Sequence, residues 1–435
     1  MEFDFITLLI VVGGSALLAL LAYYLCASVW QRLFSIGFLG GLMIYSGIGI
    51  AYPEVPWSYL YNYFILALSF ILAFKFFCTV FLDLGQLVGQ RLPDVLNQVD
   101  RTCVWNIILL IYVGLHIVPL LHPEFRLYLL WSPPVPDLVS HFAQRWIPGE
   151  QNLFLRVIGY MVLLIGPFFY MALYRYRYKI SFVVLIFCTI LYFRYIADGY
   201  LGRGDLVMVF ATILIAIWVS KHRYRKLVVL IVILLIPAFF VGSYYYQVIR
   251  MGGTVGEVHY WQAISSVLAT ETGFLRDSGI LIIEGNYRVD LGDYFKWVLT
   301  LPIPKIITGE IAGARVNYEI SEYVLGKAAG SPGFYVILPG LVAESFYIYG
   351  RFFFWIHGIF IAFLAAFVVR LVERTDQLLF LNAYLVALFS YYLNRGGIAG
   401  LLPIITNEFL LFYFFVFVIA FRMLPTRKSL ISYNV

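Results

Sequence analysis

Arginine flanked by glycine, at the polar edge of an apolar span, is the pattern in this chain best suited to chemistry. Asp198-Gly-Tyr-Leu-Gly-Arg203-Gly-Asp205 opens one span, and Asn394-Arg395-Gly396-Gly397 ends another. Glycine lets backbone approach a ligand closely, and arginine offers a planar fork of donors that matches a phosphate. At a helix start the free N–H groups and the dipole also favour an anion. The plain alternative is an arginine snorkelling toward headgroups, with Asp205 as an N-cap.

Further candidates lie in and after the long polar stretch 246–333. Leu301-Pro-Ile-Pro304 precedes Gly309-Glu-Ile-Ala-Gly-Ala-Arg315-Val-Asn317, so a stiff extended run leads to glycines and then to Arg315. An ordinary ion pair with Glu319 would explain Arg315 equally well. His259 is a candidate base in the same stretch, although a lone histidine is more often structural. Glu344 stands in an apolar run before Gly350-Arg351. A carboxylate there is costly unless paired or hydrated, and partial burial would suit it to general-base work. Its structural alternative is a pair with Arg351 or another arginine. His357, deeper in the next span, reads as a helix–helix hydrogen bond.

The elements that must hold these residues follow from composition. The chain has 435 residues, of which 62% are hydrophobic and only 12% charged. A soluble domain carries about twice that charge. With mean hydropathy at +0.88, the fold class is an all-α polytopic membrane protein. Segments near the ~20-residue spanning length number about eleven. They are 5–25, 34–51, 60–82, 102–121, 153–173, 180–197, 206–220, 227–245, 351–370, 378–393 and 409–424. The stretch 334–350, with Pro339 and Glu344, reads as a bent or interfacial lead-in to one span. Three regions result: spans in 1–245, a large polar loop over 246–333, and spans in 334–435. Cys26, Cys78, Cys103 and Cys188 lie in or beside apolar spans and read as small buried hydrophobes.

Sidedness follows from basic connections. Arg175/Arg177/Lys179, Lys221/Arg223/Arg225/Lys226, Arg370/Arg374 and Arg427/Lys428 are expected on the cytoplasmic side. The N-terminus, the large loop and the segments 122–150, 198–205 and 394–408 then share the outer face. No Walker or GxGxxG pattern is present, nor a D-x-D for a metal-bound nucleotide sugar. The expected ligand is therefore anionic and lipid-linked, with no cofactor, metal or nucleic acid.

With these residues in hand, the second half of the chain resembles the O-antigen polymerases, or Wzy proteins. The resemblance rests on Gly202-Arg203-Gly-Asp205, Leu301-Pro-Ile-Pro304, Arg315-Val-Asn317, Gly330-Ser-Pro-Gly-Phe334 with Gly340, Glu344 and Tyr349-Gly350, and Arg395. It implies a GT-C-like fold in the bacterial cytoplasmic membrane, with its site facing the periplasm. It implies a metal-independent glycosyltransferase that joins undecaprenyl-pyrophosphate-linked oligosaccharide units into a surface polysaccharide. The pyrophosphate-binding role carries to Arg203, Arg315 and Arg395, and more weakly to Arg288. Glu344, His259 or Asp205 would take the hydroxyl proton. Membrane lipid is a further partner, and a chain-length regulator is expected from the family alone. An O-antigen ligase would need the same donor site. A glycan flippase would instead show internal repeats and charge at the bilayer midplane.

Overall fold

The computed structural model describes residues 4–100, 103–121, 153–198, 201–250, 259–303, 316–329, 331 and 334–422. Every regular element among them is helical. The first nine are α1 (Phe5–Leu25), α2 (Val29–Leu42), α3 (Ser58–Val80), α4 (Leu82–Asp100), α5 (Val104–Ile117), α6 (Leu153–Leu173), α7 (Ile180–Asp198), α8 (Arg203–Ser220) and α9 (Arg225–Arg250). The described part of the polar stretch contains short helices: α10 (Tyr260–Thr272), α11 (Ile280–Glu284), α12 (Leu291–Thr300) and α13 (Val316–Leu325). The remainder is α14 (Gly340–Phe353), α15 (Ile356–Val372), α16 (Leu379–Ala387), α17 (Leu393–Pro403) and α18 (Leu410–Arg422).

The chain is an all-α polytopic membrane protein. Among the described residues eight helices are long and apolar enough to cross a membrane, or nine if a bent pair forms one span. These eight coincide with the first eight expected segments. The last three expected spans fall where the chain is broken up. There α15 is only 17 residues long, and the pair 376–408 and 410–419 bends by 49°.

Two glycines break this half, and the contacts across them reveal what they do. Tyr384 donates to Glu408 Oε2 at 3.2 Å, 24 residues along the chain. A straight helix would hold them about 36 Å apart. The chain therefore turns back between them, at Gly397, whose φ of 70° and ψ of −173° are open essentially to glycine alone. Gly350, at φ 75° and ψ −179°, does the same within the last turn of α14, ahead of α15. Glu344 and His357, 13 residues apart, meet across it at 3.3 Å. Two helical hairpins result.

The core is built where these hairpins meet α2 and α3. Small residues allow the approach. A methyl on Gly358 would lie 2.7 Å from Leu66 O, and one on Gly41 would lie 1.9 Å from Ser390 O. Ala362, Ala365, Ala366 and Val369 on α15 are fully buried. The outer helices leave apolar side chains exposed, as lipid-facing surfaces require: only 22% of the α1 span and 12% of the α9 span is buried. Cys26 and Cys78 are buried as expected, whereas Cys103 and Cys188 are exposed, on surfaces that the small-hydrophobe reading had placed inside.

The bundle has two distinct ends. At one, Arg370 donates to Cys78 O at 2.6 Å and pairs with Glu373, which also accepts from Gln31 Nε2 at 2.9 Å. Arg374 packs there against Gly89 of the amphipathic α4. At the other end Asp4 N donates to Ala51 O at 2.8 Å, and Tyr52 Oη meets Thr272 Oγ1 at 3.1 Å. The N-terminus and the helices of the polar stretch thus share the end opposite Arg370 and Arg374.

A methyl at Gly397 should cost on the order of 3 kcal/mol or more, combining a disallowed backbone with overpacking. It would sit 2.4 Å from Glu344 Oε1, which is held in place. At Gly350 the nearest atoms to such a methyl are the guanidinium end of the long Arg288 side chain, at 2.6 Å, so Gly350→Ala should cost less. Thermal unfolding in detergent ranks the two; equal midpoints would refute the tight turn at Gly397.

Candidate functional site

The two arginine–glycine elements meet at this second end, through a residue the sequence reading did not single out. Glu271, near the C-terminal end of α10, lies between Arg203 and Arg395. Arg203 Nη1 stands 3.3 Å from Glu271 Oε1, and Arg395 Nε donates to Oε2 at 3.0 Å. The three side chains come from α8, α10 and α17. Their side-chain exposures are 15%, 9% and 32% for Arg203, Glu271 and Arg395.

Each is positioned by local structure. Arg203 is the first residue of α8, after an extended Gly202. Asp205 stabilises that start by accepting from Gly202 N at 3.2 Å, while its other oxygen holds Arg194 at 2.9 Å. The Tyr246 ring of α9 lies 5.6 Å from the Arg203 guanidinium. Arg395 is fixed by its neighbours. Asn394 Nδ2 donates to Phe38 O at 3.2 Å, and Asn317 Nδ2 donates to Gly396 O at 3.2 Å. Asn317 thus brings the start of α13 against the Arg-Gly-Gly turn. Glu271 continues the buried stripe Ala263, Val267, Glu271 on α10, one residue per turn. Tyr45, which packs 6.1 Å from both Phe274 and Tyr391, closes the apolar side of the cluster.

The charges do not balance. Among the described residues two guanidiniums face one carboxylate, an excess of one positive charge. Arg203 Nη1 is buried and, among the described residues, has no hydrogen-bond partner, because its N–H is not aligned on Glu271. Arg395 uses only Nε for Glu271, so its two terminal nitrogens lie outside that bond. Buried donors without acceptors are costly, and an anion would satisfy them. A further cation, Arg276, lies 4.4 Å over the Tyr52 ring. Its hydrogen bond to Asp277 raises its pKa above the ordinary arginine value, so it is charged throughout the accessible pH range.

The other sequence candidates are placed differently. Glu344 is fully buried and already engaged: Ile398 N donates to both its oxygens at 3.0 and 2.9 Å, and His357 Nε2 lies 3.3 Å away. It caps the helix that restarts after Gly397, where the free N–H and the dipole stabilise a carboxylate. Arg351, one arginine that the structural alternative offered as its partner, instead donates to Ile283 O at 3.0 Å. His259 precedes the first turn of α10 and is exposed. Twelve residues separate it from Glu271, about 18 Å of helical rise. Arg288 donates to Asn286 Oδ1 at 3.1 Å and packs on Gly350. Glu319 accepts from the Tyr347 hydroxyl. Arg315 lies outside the described residues. Among them no three His, Cys, Asp or Glu side chains come together as a metal site.

No family model matches the chain, and no curated protein or solved structure matches it either.

Proposed function

We propose that this chain is a membrane glycosyltransferase that joins polyprenyl-pyrophosphate-linked oligosaccharide units into a longer glycan. On this reading it works at the outer face of the bacterial cytoplasmic membrane and needs no nucleotide. The observation that carries the reading is the Arg203–Glu271–Arg395 cluster, where among the described residues one positive charge is unmatched and the buried Arg203 Nη1 has no hydrogen-bond partner. Sidedness supports it, because Arg370 and Arg374 at the other end read as cytoplasmic.

The chemistry is a displacement at the anomeric carbon of the donor sugar. A hydroxyl oxygen of the acceptor forms the new C–O bond, and the bond to the pyrophosphate oxygen breaks. Polyprenyl pyrophosphate leaves with the bonding electrons. Arg203 and Arg395 hold the pyrophosphate and stabilise the charge it gains. Glu271 now occupies the place between the guanidiniums that a phosphate would take. The incoming phosphate displaces it, and the released carboxylate accepts the proton of the attacking hydroxyl.

Gel analysis of the surface glycan in cells lacking the chain, with and without its gene restored, tests the reaction. Restored cells should show a ladder of repeat-unit multiples, and deficient cells a single unit. Identical single-unit patterns in both would sink the reading. Loss of every glycan-bearing product from deficient cells would point to ligation or flipping instead.

The displacement also predicts a stability signature. Glu271→Gln leaves two neighbouring guanidiniums without their counterion and should cost about 2 kcal/mol of stability, since breaking a largely buried pair is strongly unfavourable. Pyrophosphate should raise the melting midpoint of this variant more than that of the wild type, where it must first displace the carboxylate. A midpoint insensitive to pyrophosphate in both proteins would refute anion binding here.

A further inference from the structure

A separate cavity of about 540 Å³ lies on the far side of α8, walled by α5, α6, α7 and α16 and by residues 404–408. Its size falls in the range of roughly 300–1,000 Å³ typical of small-ligand sites. Asp205, paired with Arg194, lines it at the start of α8, two residues past Arg203. Glu408 lines it too, accepting from Tyr384 at 3.2 Å. Tyr391 packs toward the arginine cluster, while the next residue, Tyr392, lines the cavity. The two sites therefore share a wall.

The lining combines two features. Aromatic rings are concentrated in it: Tyr170 stacks on Tyr384 at 4.4 Å, and Tyr112 on Phe169 at 4.2 Å. Ionisable groups accompany them, although charge within spans is expensive and marks function by default. Carboxylates and tyrosine hydroxyls exchange hydrogen bonds with a polyhydroxylated ligand, and ring faces cover the apolar C–H face of a sugar. An isoprenoid or acyl chain would leave Glu408 and the Arg194–Asp205 pair without use. Gly166 is buried, yet among the described residues a methyl built on it would meet nothing within 4 Å. The missing side chain keeps that part of the wall open.

We propose that this cavity is a second binding site, for a neutral carbohydrate, with Glu408 as the carboxylate that receives its hydroxyl groups. In the reaction proposed above it holds the acceptor unit, and that assignment alone rests on the glycosyltransferase reading. The binding claim stands independently.

The test uses the full chain in detergent and two probes: inorganic pyrophosphate, and the neutral oligosaccharides released by mild acid from the lipid fraction of cells lacking the chain. Binding of each is measured for the wild type, Gly166→Leu, Glu408→Gln and Arg203→Ala. Gly166→Leu adds a side chain to the cavity lining at a position where the first added carbon meets no described atom. It should weaken oligosaccharide binding at least tenfold and leave pyrophosphate binding unchanged. Glu408→Gln should weaken the same probe several-fold, and Arg203→Ala should affect pyrophosphate alone. Oligosaccharide binding that survives Gly166→Leu would overturn the proposal, as would competition for the cavity by a sugar-free polyprenol. Failure of pyrophosphate binding in the wild type would count against the donor site and leave the cavity assignment standing.

Discussion

Arg395→Ala is expected to slow glycan elongation by about 10²–10³-fold at unchanged membrane level, the usual loss when one preorganised donor to a developing oxyanion is removed. Arg395 reaches Glu271 through Nε alone, so truncation removes one pair contact and both terminal donors. Arg203→Ala should be similar, since its Nη1 is buried beside the same carboxylate. Arg395→Lys keeps the charge but loses the planar fork, so it should recover only part of the rate. The double alanine variant should fall well short of the product of the two single losses, because both side chains serve one anion. Arg288→Ala is the internal control. Its contacts are with Asn286 and Gly350, and its loss should change the rate by less than tenfold if the pyrophosphate sits at the cluster. The measurement is initial elongation of lipid-linked units in membranes, with protein quantified in each. A near-wild-type rate in both single variants would remove the cluster from the mechanism.

How much of this was legible beforehand differs from element to element. The first eight spans could be read because a lipid-facing helix must be apolar over its whole length, whatever it packs against. The amphipathic α4 could not, since its polar face keeps it below any spanning threshold. The hairpins of 340–422 depend on two residues, Gly350 and Gly397, whose φ signs no hydropathy window reports. Arg203 and Arg395 stood out because each sits among glycines at the edge of an apolar span. Glu271 did not, because it lies within a polar stretch where carboxylates are ordinary. The available signal was its place on the stripe Ala263, Val267, Glu271, where an apolar side chain would otherwise be expected. That arginines 192 residues apart would share it depended on the turn at Gly397, and so on tertiary structure. Glu344 was singled out for being costly to bury, and the sequence offered no sign that Ile398 N and His357 would meet that cost.

Glu344 yields the other large effect, this time on folding. Glu344→Ala would strip the acceptor from Ile398 N and from His357 Nε2 in a site with no exposure to water. An orphaned buried donor costs about 1–3 kcal/mol, and the void left by the side chain adds to it. The expected loss is therefore of order 3–4 kcal/mol, enough to deplete folded protein from the membrane. Glu344→Gln separates structure from chemistry. Its amide oxygen can still accept from Ile398 N, so the turn after Gly397 and the position of Arg395 should survive, at a cost of about 1 kcal/mol for the lost charge–dipole interaction. Activity should then stay within tenfold of wild type, because on this reading the proton goes to Glu271. Melting midpoints and elongation rates measured on the same preparations decide it. A Glu344→Gln protein that melts like wild type yet elongates more than a hundredfold slower would make Glu344 the proton acceptor and leave Glu271 only as the counterion that the pyrophosphate displaces.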